Sequence, residues 1–503
     1  MNSIKVISAV FVSMFLVSVG TVRAADEKHM TIGLWAFPPA AGNPYTGTTV
    51  PPILTLPAMF DGLTRITRSG EVLPSLATSW HKQSETTWVF NLRPNVSFSN
   101  GESFTADAVV AAFAFLRSDQ GQTVGASREV ADVIRVDARD ALTVVLETAA
   151  PAPLLPRRVV PVRFPAPEHW AALGPQGFAQ DPVGTGPFKV ESWGAGRIEL
   201  SAFRGSWRPP ILDRLTLQMI PDQASRIQAL QSEGIDIATS ISADDRDAVA
   251  SIGGRMMESP SAGVAVISFI TTKPGPLQDK RVRQALNYAV NKDIIVELLM
   301  GGATVVASQP VPEGAFGYDP SLKPYPYDPD KARSLLTDAG YSDGFELTIE
   351  VTTGAGVNSD SYYAMVADDL RRVGIDVTLQ TIPSQILVRR IYDGSWEGQA
   401  FAMSMDTMPS LDALRPFRLH SCLWSSPWHC NSEDTPLIKA AMAEGDLGRR
   451  EAMVRSLLRR YHDDPPALYM FQMVGFTGLA PRVKNFSSDY GVYNFHAMDL
   501  EIE

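Results

Sequence analysis

A chain of 503 residues exceeds what one hydrophobic core serves, and with 45% hydrophobic residues it can build two or three. Its formal net charge of −11 at pH 7 argues against nucleic acid as a partner, because the phosphate backbone repels such a surface. The sequence carries no low-complexity tract and no short-period repeat, which excludes the disordered and solenoid classes.

Lys5 is followed by an uncharged apolar run, Val6 to Val19, and by Val22-Arg23-Ala24, a small-residue cleavage pattern. The reading is a signal peptide over 1–24. The run is shorter than the ~20 residues of a membrane span, and no cysteine follows it to carry a lipid. An exported, soluble, periplasmic protein is expected; removal of residues 1–24 takes away Lys5 and Arg23 and leaves 42 Lys and Arg against 55 Asp and Glu, a net charge of −13. Thr87 to Leu92 alternates as a half-buried strand does, and Val96 to Ser99 predicts a second short strand ending at the turn pair Asn100-Gly101. Thr105 then stands as N-cap, with Asp107 in the first turn of an apolar helix through Leu116. Gly184-x-Gly186 lacks the spacing of a phosphate loop, and Pro187 breaks any helix behind it, so a tight backbone crossing is expected there.

Asp279 caps a helix with Val282, Ala285, Leu286, Ala289 and Val290 on one face, stopped by Gly301-Gly302. Pro310 to Pro329 reads as a long surface connection. Asp328 and Pro329 open another helix that Gly340 ends. Strand Phe345 to Val351, helix Ser361 to Val373 and strand Ile375 to Thr381 form a βαβ unit with a parallel pair, so the fold class is α/β.

Cys422 and Cys430 lie in HSCLWSSPWHC, and an oxidising compartment favours a disulfide. The competing reading is a metal site of His420, Cys422, His429 and Cys430. The adjacent pair His429-Cys430 cannot easily aim both side chains at one ion. Motifs for a nucleophile elbow, a zinc helix, a Walker loop or an SxxK serine are missing. The acidic pairs Asp244-Asp245, Asp368-Asp369 and Asp463-Asp464 read as solvated charge, since neighbouring residues point apart. No catalytic residue, cofactor or metal is expected, and the protein is not read as an enzyme.

Three segments carry a resemblance. Phe60 to Leu116 joins FDGL, LPSLATSW and WVFNLRPNVSFSNGESFTADAVV; PVGTGPF follows at 182–188 and DKRVRQALNYAVNKDII at 279–295. In this order they resemble the family 5 extracellular solute-binding proteins, the peptide- and nickel-binding partners of ABC importers. The resemblance implies a periplasmic binding protein-like class II fold, with two lobes hinged around a cleft plus an extra small domain. Domain I would hold 25–60, 184–265 and 474–503; domain II, the extra domain, 61–183; domain III, the second lobe, 266–473. Peptide-binding members carry a short disulfide loop where Cys422 and Cys430 stand.

Within FAMSMDTMPSLDALRPFRLHSC, Asp406 matches the family position that pairs with a peptide's α-ammonium group, with Asp412 as the competitor. Ser404 lines the same wall by strand alternation. Opposite, the main chain of Thr48, Thr49 and Val50 matches the family's contact with an extended peptide. Trp35, Trp396, Trp424 and Trp428 are candidate apolar walls. The chain departs from the pattern at Met403 and Ser404, where oligopeptide receptors place an aromatic residue and a cysteine. It departs again at Thr353-Gly354-Ala355-Gly356, where dipeptide receptors place a carboxylate-binding arginine. Arg389, Arg390, Arg415 and Arg418 are the remaining cations for a carboxylate. The function implied is the substrate-binding component of an ABC importer, a monomer that hands an oligopeptide or amine-bearing solute to its membrane permease. A nickel-type metal chelate, an opine or sugar derivative, and a peptide or sugar hydrolase are the alternatives.

Overall fold

Two long strands set the architecture. Arg255–Phe269 and Ala467–Leu479 run antiparallel, with 255–260 paired to 474–479 and 264–268 to 467–472. The computed structural model describes residues 27–46, 50–352 and 358–501. At one end the two long strands join Ile237–Ile241, His29–Leu34, Arg214–Met219, Arg197–Ala202 and Phe188–Trp193. At the other they join Ala400–Asp406, Phe345–Val351 and Ile375–Thr381, giving one ten-stranded sheet through both lobes. The ladder between the long strands slips between Pro260 and Val264 and again between Ala265 and Val266. Proline has no N–H to donate, and a bulge bends the strand that carries it. The interruption therefore falls where the chain passes between the lobes.

The first lobe buries Met30, Ile32, Leu215, Leu217 and Ile237 in a core that continues into a four-stranded antiparallel sheet, Ala77–Ser84, Thr87–Leu92, Thr143–Thr148 and Val133–Asp140. Helix Ala106–Arg117 packs on that sheet, with Thr105 as its N-cap by backbone geometry. The second lobe's core is Val282, Leu286, Ile349, Val366, Leu370 and Leu468. The strands Phe345–Val351 and Ile375–Thr381 pair in parallel, and the helix between them spans Ser359–Arg371. Close approach explains Gly184 and Gly186. A Cβ at either would collide with the Met59 backbone, whose carbonyl accepts from the Gly186 N–H at 2.9 Å.

Four expectations need correction. Val96 to Ser99 forms no extended strand; Phe98 bonds to Glu102 across a turn at Gly101 (φ +96°), leaving one bridge, Ser97 to Ser103. The helix begun at Asp279 ends at Ala289, and Asn291 caps a second one, Lys292–Met300, by accepting from the Ile294 N–H at 3.3 Å. The first half of Pro310 to Pro329 is packed rather than superficial, whereas Pro320 to Pro329 lies at the surface apart from the buried Tyr325. Gln309 exchanges hydrogen bonds with the Asp319 backbone at 2.9 and 3.0 Å, and Val311 and Ala315 join a core with Phe417, Val454 and Tyr461. Among the acidic pairs, Asp369 is buried and accepts from the Asn291 N–H at 2.8 Å, because the helix break exposes that donor inside the lobe.

Candidate functional site

Strands Phe345–Val351 and Ala400–Asp406 are parallel neighbours only at Ile349–Ala400 and Glu350–Phe401, after which they part. The chain leaves the first through helix Ser359–Arg371 and returns to the second through helix Ser384–Asp393. These helices cover opposite faces: Tyr362 and Val366 pack with Ala402, whereas Leu387 and Ile391 pack with Phe401. Such a reversal opens a crevice at the carboxyl ends of the strands, where open α/β sheets bind ligands. Here it holds a cavity of about 290 Å³, floored by Ala265, Ala402 and Ser404. Thr352, Tyr363 and Met300 border it as well.

Asp406 ends the strand two residues beyond Ser404, so both face the same side of the sheet. The loop after it is held by Thr407, whose N–H and hydroxyl both donate to the Ala262 carbonyl, at 2.9 and 2.7 Å. Among the described residues the Asp406 carboxylate has one hydrogen bond, from the Met408 N–H at 2.8 Å. Arg415, on helix Leu414–Leu419, spends its Nη1 on the Asp406 carbonyl at 2.8 Å rather than on the carboxylate. Water reaches the Asp406 side chain, yet protein surrounds it on most sides, as at the bottom of an open cleft. Loss of solvent raises its pKa above the ordinary 3.8, opposed by Arg415 and by the Met408 N–H. Because water still enters, solvation tempers that rise.

Helix Gly125–Glu129 approaches Arg415 and the helix Ser384–Asp393. Glu129, at the end of helix Gly125–Glu129, lies 4.0 Å from Arg415 Nε, and Arg128 donates to the Tyr392 hydroxyl at 3.4 Å. Burial also raises the Glu129 pKa, opposed by Arg415, Arg158 and Arg418. The competitor Asp412 is already engaged: it pairs with Arg450 at 2.9 Å and caps Leu414 N–H at 3.1 Å. Of the other cations, Arg390 is buried and pairs with Glu350 at 2.6 Å, and Arg389 faces Asp393 at 3.7 Å.

Cys422 and Cys430 form a disulfide with an S–S distance of 2.03 Å, which removes both thiolates from metal binding. Among the described residues no three His, Cys, Asp or Glu side chains are placed to hold a metal ion. The disulfide loop braces the crevice. Trp424 Nε1 donates to the Ile391 carbonyl at 2.6 Å, and Ser426 donates to the Tyr392 carbonyl at 2.7 Å. Trp424 thus stands behind the crevice helix, while Trp396 and Trp428 are buried against Phe401. Burial lowers the pKa of His420 to about 3 and of His429 to about 4, and Trp428 donates to His420 Nδ1 at 3.1 Å. Trp35 is exposed just past strand His29–Leu34, and Val50 is the exposed first residue of helix Val50–Thr55. Thr48 and Thr49, like Thr353 to Gly356, lie outside the described residues. Sequence reasoning missed Tyr362, Tyr363, Leu387, Ile391 and Glu129. The βαβ unit at 345–381 was the available signal for the first four, since it marks the strand ends where a crevice opens.

The family model described as "Bacterial extracellular solute-binding proteins, family 5 Middle" matches residues 71–422. The chain belongs to the family 5 bacterial extracellular solute-binding proteins. It is 27% identical over 501 residues to the dipeptide-binding protein of Escherichia coli K12, covering 92% of this chain and 91% of that one. To the nickel-binding periplasmic protein of the same organism it is 28% identical, covering 83% and 84%. In fold it superposes on the ABC transporter substrate binding protein CtaP from Listeria monocytogenes with a TM-score of 0.85, at 19% identity, covering 95% and 100%. The chain has the two-lobed class II fold. Among the described residues no helix is long and apolar enough to cross a membrane.

Proposed function

We propose that this protein captures an oligopeptide or related amine-bearing solute between its lobes and delivers it to an ABC permease from the periplasm. The signal peptide over 1–24, the domain divisions given above and a monomeric state belong to the same reading. The observation that carries it is the Asp406 carboxylate: it ends the strand two residues beyond the crevice-lining Ser404 with a single backbone hydrogen bond, while Asp412 is already paired. A carboxylate that burial disfavours gains most from a cationic partner with N–H groups to donate. An α-ammonium group is such a partner, and its departure costs no covalent chemistry, as a reversible carrier requires. Lobes joined through two interrupted strands supply the hinge for enclosure and release.

Isothermal titration with Leu-Ala-Ala and with its N-acetylated form tests this reading. The free amine is expected to bind and the acetylated peptide to bind at least tenfold more weakly. Equal affinities would remove Asp406 as the amine anchor. The nickel-binding relative makes a metal chelate the competing solute. Tryptophan fluorescence during titration with nickel, with and without a chelator, separates the two.

A further inference from the structure

Small side chains create the crevice. Ala265 lies opposite Ser404 across the ladder, and Gly263 lies opposite Asp406. With Ala402 they form a sheet face of Gly, Ala and Ser, and the small Ala265, Ala402 and Ser404 leave unfilled the space at the strand end, between the two helices that flank it from opposite faces. The walls are large and apolar: Leu387 and Ile391, Tyr362 and Phe471, with Met403 and Met473. Among the described residues no Asp, Glu, Lys, Arg or His side chain lines the cavity.

We infer that the solute places a bulky, uncharged apolar group in this crevice and its cationic amine on Asp406, so that the protein selects amines whose adjoining group is large and apolar. The inference rests on the reading of Asp406 as the amine anchor. Two residues along a strand span roughly 6.6 to 6.8 Å, so the crevice beside Ser404 is within one side chain's reach of an amine held at Asp406. An apolar cavity of ~150 Å³ takes up benzene. One of about 290 Å³ admits an aromatic ring or a branched aliphatic chain together with its adjoining backbone. The thioethers of Met403 and Met473 adapt to several apolar shapes rather than to one. The polar groups here are the uncharged hydroxyls of Thr352, Ser404, Tyr362 and Tyr363, so a charged group would give up water without gaining a counter-ion, which disfavours it.

Titration of the full-length protein with Ala-Ala-Ala, Leu-Ala-Ala, Phe-Ala-Ala and Glu-Ala-Ala, and with ethylamine and 2-phenylethylamine, tests the inference. Leu-Ala-Ala and Phe-Ala-Ala are expected to bind at least about tenfold tighter than Ala-Ala-Ala, and Glu-Ala-Ala more weakly than any of them. If no tripeptide binds while 2-phenylethylamine outbinds ethylamine, the peptide reading falls and the crevice inference stands. If the tripeptides bind, their ratio decides; affinities that ignore the first side chain, a preference for Glu-Ala-Ala, or no binding by any probe overturn it. Ala402→Leu builds a side chain into the cavity and is expected to bring the Leu-to-Ala ratio close to one. That ratio is taken within one variant, so loss of folded protein cannot imitate the effect, and a ratio as large as the parent's overturns the inference.

Discussion

Replacing Asp406 with Asn moves two quantities in opposite directions, which separates a ligand anchor from a structural residue. Asn keeps an acceptor for the Met408 N–H and removes only the charge. A hydrogen bond to a charged group contributes about 1.5–3 kcal/mol. Because water reaches this carboxylate, the lower half of that range applies, and Leu-Ala-Ala should bind roughly 10- to 40-fold more weakly. Stability of the ligand-free protein should not fall. A carboxyl whose folded pKa is raised holds its proton more tightly when folded; the stability it contributes is present below the unfolded value and is lost as pH rises through the folded pKa. At neutral pH the ionised Asp406 therefore opposes folding, and Asn does not. The same direction predicts that, in the parent protein, acid weakens amine binding starting above the pH that an ordinary aspartate's 3.8 would set. Calorimetric titration and thermal denaturation of both proteins, at neutral and acidic pH, make the comparison. Unchanged affinity in D406N, or a melting temperature several degrees below the parent's, would refute this account of the residue.

Three further outcomes follow from the packing. His420 and His429 are buried with folded pKa values depressed to about 3 and about 4 from the ordinary 6.5, so stability present above pH 6.5 is lost as pH falls through that value. At pH 5 each histidine should lower stability by about 2 kcal/mol; a urea midpoint that stays constant from pH 7 to pH 5 would contradict their burial as neutral rings. Glu350→Ala removes the buried partner of Arg390, leaving it only the exposed Glu397 carboxylate, and leaves the Glu397 and Gly398 N–H groups without their acceptor. It should destabilise by about 3–5 kcal/mol in urea denaturation, whereas a loss below ~1 kcal/mol would show that water solvates the pair. Replacing both Cys422 and Cys430 with Ser should cost about 2–3 kcal/mol of stability in the chain-entropy account. Because the loop holds the crevice helix through Trp424, the same variant should also bind Leu-Ala-Ala more weakly at temperatures where it remains folded.

Local pattern carried several single elements. Thr87–Leu92, Phe345–Val351 and Ile375–Thr381 coincide with their predicted bounds, because alternation over a half-buried face and glycine stops such as Gly374 are written locally. The two long strands were not legible. From Ala262 to Phe269 every residue is buried, so no alternation announces a strand enclosed on both faces. Proline content at 310–329 pointed outward, yet Val311 is buried in a cluster with Phe417 and Val454, which lie more than a hundred residues away. The crevice escaped detection for a related reason: its walls come from segments between Ala265 and Val474 that meet only in the folded sheet. Asp406 stood out only through the family resemblance, since an acidic residue after a strand is otherwise unremarkable. Glu129 had no sequence signal, because its significance depends on its facing Arg415, 286 residues further along the chain.

The central claim is that the cleft is a reversible trap for a cationic amine. Native mass spectrometry of the protein purified without denaturation from its own host, followed by release and identification of the bound solute, tests it most directly. The account predicts an amine-bearing solute with a large apolar group, present on the parent protein and depleted from D406N. A solute without a cationic amine, or one retained equally by both proteins, would contradict it.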